Sequence, residues 1–131
     1  MATDPSNGPK ISLTSLSLIL LSAVLWGSTD ACMKYLSPPS ISNKSGLLSF
    51  FLSLLSTPCY LLCLATNQLG SVVYYYSLAT APLSVVSPAV NTGKVLVTVF
   101  VGRVLGEQQV SAKKWLGLLL LLSGVVLQIT A

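Results

Sequence analysis

The chain has 131 residues, and only 8% of them are charged, against about 25% in a soluble domain of ordinary composition. Apolar residues make up 53%, the mean hydropathy is +0.80 and the formal net charge is +4. Seven basic and three acidic side chains cannot cover a water-soluble domain of this length, so composition excludes one and points to a lipid bilayer as the solvent.

Lys10, Lys34, Lys44, Lys94, Arg103, Lys113 and Lys114 are spread between apolar runs rather than gathered into a basic stripe. They read as topology signals and interfacial anchors, and no nucleic-acid partner is expected. Histidine is absent, which removes the commonest metal ligand and the usual general base. Cys32, Cys59 and Cys63 are an odd number, two of them inside an apolar run, and do not make a disulfide framework. Cys59 and Cys63 share a helix face, but two thiols without a third ligand are no zinc site. No cofactor or metal is expected.

Residues 1–10 are polar, with proline and glycine, and read as a disordered tail. Residues 11–33 form the first span. Their apolar run exceeds the core of a signal peptide, and no A-x-A-like cleavage site follows. The first loop, 34–45, holds two prolines, a scatter of serines and two lysines, and cannot be a helix interior.

Residues 46–81 are too many for one span of about 20 residues and too few for two spans and a turn. Proline is tolerated in the first turn of a helix, so Pro58 sets the division. The second span is 57–80, and 46–56 become an interfacial lead-in with Ser49, Ser53 and Ser56 on one face. Two spans in this stretch, five in all, is the alternative. Residues 81–82 make a short connection, so the second and third spans are expected to be antiparallel neighbours. The third span is 82–105, the polar third loop 106–114. The fourth is 113–130, anchored by Lys113, Lys114 and Trp115. The expected fold is all-α, a polytopic membrane bundle of four transmembrane helices over 11–131.

Loops one and three hold Lys34, Lys44, Arg103, Lys113 and Lys114, against Lys10 alone on the other side. This bias predicts both loops in the cytoplasm and both termini outside or in a lumen. Asn43-Lys44-Ser45 is a glycosylation sequon that such a topology leaves unmodified.

On the third span Ser84, Ser87, Asn91, Lys94 and Thr98 recur at spacings of 3, 4, 3 and 4. At about 100° per residue they form one stripe, continued by Gly102, with Val86, Ala89, Val97 and Phe100 opposite. Lys94 lies near mid-span, where a lysine costs roughly 2.5–3.5 kcal/mol on the insertion scale. It must face water, a carboxylate or an anionic ligand; an internal ion pair or carbonyl contact that only staples the bundle is the plainer reading. Asp30 and Glu107 alone could supply the carboxylate, and counted from the span ends neither is well placed for a midplane lysine.

The second span carries a matching stripe of Tyr60, Cys63, Asn67, Ser71, Tyr74 and Leu78, with Asn67 and Gln68 at mid-depth. Amides there want interhelical hydrogen bonds, worth about 1 kcal/mol each, which suffices as bundle glue. An aromatic belt accounts for Tyr74, Tyr75 and Tyr76 without a substrate. Gly102 with Gly106, and Gly117 with Gly124, offer places where helices could approach closely. With no nucleophile–base pair, phosphate loop or metal cluster, an enzyme is not expected.

Two stretches resemble the drug/metabolite transporter superfamily, with its EamA-type and small multidrug resistance proteins. The first is Leu25-Trp26-Gly27-Ser28-Thr29 running to Met33-Lys34. The second takes in Ala79 through Pro82, Pro88, Gly102, Leu105-Gly106-Glu107, Gly117 and Gly124-Val125. Together with Asn67-Gln68, Gly70-Ser71 and Tyr74-Tyr75, the pattern looks most like the eukaryotic transmembrane protein 234 family. The resemblance implies a four-helix unit related to half of a larger transporter. Small multidrug resistance proteins carry a coupling glutamate on the first helix. Matching their Met-Lys to Met33-Lys34 puts Trp26 at that place, with Asp30 as a displaced substitute.

Four helices do not easily enclose an aqueous path, and such transporters build their site between repeats. The functional expectation is a small-solute transporter in a parallel homodimer or hetero-oligomer. Its pathway would be lined by Lys94, Asn91, Ser87, Thr98, Asn67, Gln68 and Tyr74, with Asp30 as the candidate coupling carboxylate. The rival expectation is a non-transporting scaffold or subunit that kept the fold.

Overall fold

The computed structural model describes residues 11–37, 46–107 and 111–130, and these form helices α1 (Leu13–Leu36), α2 (Leu47–Leu55), α3 (Pro58–Thr80), α4 (Leu83–Val104) and α5 (Ala112–Thr130). The N-terminal tail, most of the first loop with its sequon, and residues 108–110 lie outside the described residues. Ser12 caps α1, its Oγ accepting from the Ser15 backbone N–H at 3.1 Å. Pro58 occupies the first turn of α3, and Thr57 before it is extended (φ −96°, ψ 104°), as a residue preceding proline tends to be. That residue breaks the chain between α2 and α3, which meet at 84°.

Helices α1, α4 and α5 are each long and apolar enough to cross a membrane, and α2 with α3 meets the same test only as a bent pair. The nine residues of α2 span about 14 Å, less than half of a hydrocarbon core of about 30 Å. The 23 residues of α3 reach about 34 Å.

Contacts fix the directions. Ser15 Oγ donates to the Thr80 carbonyl at 3.2 Å and Trp26 Nε1 to the Asn67 carbonyl at 3.0 Å, so α1 and α3 are antiparallel. Ala23 faces Gly93 and Gly27 faces Val97, a constant offset of 70 that makes α1 and α4 parallel. Arg103 lies by Trp115 and Val95 by Leu121, so α4 and α5 are antiparallel. The four long helices therefore alternate in direction. They lie in the order α3, α1, α4, α5, with α1 packed along both α3 and α4 while α5 touches α4 alone.

The packed side of α4 straddles the edge of the polar stripe: Gly93, Val97 and Thr98 meet α1, while Phe100 on the apolar face is exposed. Val86 and Val90 are fully buried with Ile19, and Trp26, Tyr74 and Leu78 pack around them. Close approach comes from Gly27 and Gly93 between α1 and α4, and from Gly70 under Trp26 between α1 and α3. The glycine pairs expected to do this work do not. Gly106 instead ends α4 at φ 90°. The Glu107 N–H reaches the Gly102 carbonyl at 2.9 Å and the Gly106 N–H that of Arg103 at 3.2 Å, a Schellman cap. A Cβ placed on Gly117 or Gly124 would meet nothing within 4 Å. The cause is local: Gly106 is needed for its backbone conformation, and α5 has no partner besides α4.

Candidate functional site: an ion pair where three helices meet

Trp26, Thr29 and Asp30 stand at i, i+3 and i+4 on α1 and so share one face. Asn67 of α3 and Lys94 of α4 converge on that face from either side. Lys94 Nζ lies 2.7 Å from Asp30 Oδ2, and the two side chains are 34% and 31% exposed. The second carboxylate oxygen, Oδ1, accepts from Asn67 Nδ2 at 3.1 Å. The same amide nitrogen donates to Thr29 Oγ1 at 2.8 Å, and Thr29 in turn donates to the Leu25 carbonyl at 2.6 Å. Each member of this chain thus fixes the next.

The indole of Trp26 forms the floor. Its edge lies against the bare backbone of Gly70, and its ring sits 5.2 Å from that of Tyr74 at 38°. Lys94 Nζ is 5.6 Å from the indole centroid, within reach of a cation–π contact. Thr98 Oγ1 shares its hydrogen between the carbonyls of Lys94, at 2.8 Å, and Gly27, at 3.2 Å, tying α4 to α1 one turn beyond the lysine. A second ion pair, Lys34 with Glu107, joins the C-terminal ends of α1 and α4. Among the described residues these are the two ion pairs, and no group of three His, Cys, Asp or Glu side chains could hold a metal.

The family model described as "Putative transmembrane family 234" matches residues 19–129, which include every residue of this site. The chain belongs to the transmembrane protein 234 family. It is 30% identical over 118 residues to a Transmembrane protein 234 homolog of Dictyostelium discoideum, covering 86% of this chain and 92% of that one. With a Transmembrane protein 234 homolog of Anopheles gambiae it shares 36% over 114 residues, 83% of this chain and 81% of the other. No solved structure matches the chain.

Within this family member the residues expected to line one pathway divide. Lys94, Asn67 and Thr98 meet at the site, and Tyr74 borders it through Trp26. Ser87 is half-buried and lies between Val86 and Val90 of the core along the helix. Asn91 and Gln68 are exposed. Gln68 follows Asn67 directly, and a one-residue step turns a helix by about 100°, which carries its amide off the inner face.

The expectation that Asp30 is poorly placed for Lys94 is corrected. On the α1–α4 offset of 70, Asp30 is level with residue 100, six residues and about 9 Å above Lys94. Side chains on a helix lean toward its N-terminus, so Asp30 reaches down, and the four-carbon stem of Lys94 is long enough to extend up against that lean. Counting depth by Cα position ignored both arms. Thr29 and Trp26 also belong to the site. The polar run Ser28-Thr29-Asp30 within an apolar helix was the available signal for the first; for Trp26 the signal was the resemblance, which puts it at the place of the coupling glutamate.

Proposed function

We propose that this membrane protein is a small-solute carrier of the drug/metabolite-transporter type, with the Asp30–Lys94 pair as its binding and coupling centre. It is not an enzyme in this reading, since nothing beside the pair can activate a nucleophile. The observation that carries the proposal is an intramembrane ion pair left about a third open rather than sealed. A pair meant only to hold helices together gains most when it is closed off. An open pair can exchange partners: a carboxylate-bearing solute displaces Asp30 from Lys94, or protonation of Asp30 releases the lysine. Asn67 keeps Asp30 aimed during the exchange, and the Trp26 ring supports the freed ammonium.

Four spans, α1, α3, α4 and α5, accommodate the alternating directions, with α2 lying along the interface. A single row of four helices does not enclose a path, so the open face requires a parallel second copy or another subunit. The lysine and arginine bias places loops one and three in the cytoplasm and both termini outside or in a lumen. Asn43 is then expected to stay unglycosylated when the protein is made in microsomes, and a glycan there overturns this orientation.

The activity test is uptake of a panel of organic anions by proteoliposomes. The double variant Asp30→Leu/Lys94→Leu keeps no unpaired charge, so it should insert and fold yet lose flux to background. Unchanged flux in the double variant overturns the carrier reading. A scaffold subunit is the second reading, favoured by Lys94 already having its counter-ion. It expects no flux from either form and the same co-purifying subunits with both.

A further inference from the structure

Three cations stand at the loop end of the α4–α5 pair, and among the described residues none of them has an acid as an ion-pair partner. Arg103, Lys113 and Lys114 are all exposed. Asp30 and Glu107, the two acids among the described residues, are engaged by Lys94 and Lys34. Two grooves run from this basic end toward the bilayer centre between the helices. One, of about 450 Å³, begins at Lys114 and continues over Gly117, Leu121 and Val95. The other, of about 230 Å³, begins at Arg103 and Trp115 and continues over Phe100 and Leu96. Gly117 opens the larger groove, because a side chain at that position would occupy the empty space.

We propose that the α4–α5 pair binds an anionic phospholipid in the larger groove, its phosphate held by Lys114 with Arg103 and Lys113 adding positive charge at the same end, and an acyl chain laid over Gly117. The groove is apolar where it enters the hydrocarbon and cationic where it reaches the headgroup level, which is the polarity of a lipid read from tail to phosphate. Trp115 sits where an interfacial indole is most stable. A zwitterionic lipid brings its own cation against three others, so net negative charge is what the site selects.

The test is retention of lipid by the purified full chain, offered phosphatidylglycerol and phosphatidylcholine in equal amounts and read by native mass spectrometry. The wild type should retain phosphatidylglycerol in preference, and Arg103→Gln, Lys113→Gln and Lys114→Gln should each lower that preference roughly fivefold. Gly117→Leu leaves the charge unchanged and fills the groove without a clash, and it should release both lipids. Equal retention of the two lipids by the wild type overturns the proposal, as does a preference that survives loss of all three charges. If Gly117→Leu retains lipid as the wild type does, binding is diffuse surface attraction and the groove is not the site. Inorganic phosphate should fail to displace the lipid; displacement at matched concentration would make this a simple anion site instead.

Discussion

Lys94→Leu alone should destabilise the helix bundle by about 2 kcal/mol, and adding Asp30→Leu should restore most of the loss. Breaking a fully buried ion pair from one side costs roughly 3–5 kcal/mol, because the abandoned charge keeps its desolvation penalty. Here the two side chains are about a third exposed, so the cost falls below that range. Removing both charges costs little, since well-packed apolar side chains often replace an ion pair without loss. Asp30→Leu alone should be the worse single change, as it strands the Lys94 ammonium and removes the acceptor of Asn67 Nδ2 together. The measurement is unfolding by sodium dodecyl sulfate in mixed micelles, followed by tryptophan fluorescence, across the two single variants and the double. Losses that simply add would mean that the charges do not meet. Taking an unpaired lysine out of mid-span would gain stability; with Asp30 in reach the sign reverses.

That reversal marks where the sequence was legible. Helix ends are written by hydropathy and proline, and 57–80 and 82–105 differ from the ends of helices α3 and α4 by a residue or two. The stripe of Tyr60, Cys63, Asn67, Ser71, Tyr74 and Leu78 is likewise the inner, part-buried face of α3, because a helix turns by a fixed angle per residue. Contacts between helices are another matter. They depend on relative height and on side-chain reach, neither of which a periodicity contains. Asp30 and Lys94 sit on different spans at different Cα depths, and only the offset of 70 between α1 and α4 brings them together. The stripe on α4 misled in its outer members for a related reason. Ser84 and Asn91 share a face with Lys94, yet α1 is not wide enough to cover that whole face, and both remain exposed.

The same offset can be tested where it is tightest. Gly27→Val should cost about 3 kcal/mol or more, while Gly124→Val should change stability by less than about 0.5 kcal/mol. A Cβ at Gly27 would lie 2.6 Å from Val97 Cβ and 2.7 Å from the Lys94 carbonyl oxygen, and backbone cannot yield as a flexible side chain would. The helices must separate, which sacrifices the close packing that drives association in lipid. Separation also draws Thr98 off the Gly27 carbonyl and carries Lys94 away from Asp30. The glycine and the ion pair are therefore one energetic unit, and their losses should not add. In a Gly27→Val background, Lys94→Leu should lose most of its cost, because the pair it removes is already broken. At Gly124 the added side chain points into open space and meets only lipid. Equal effects at the two glycines would mean that α1 and α4 do not pack in this register, and the Asp30–Lys94 contact would fall with it.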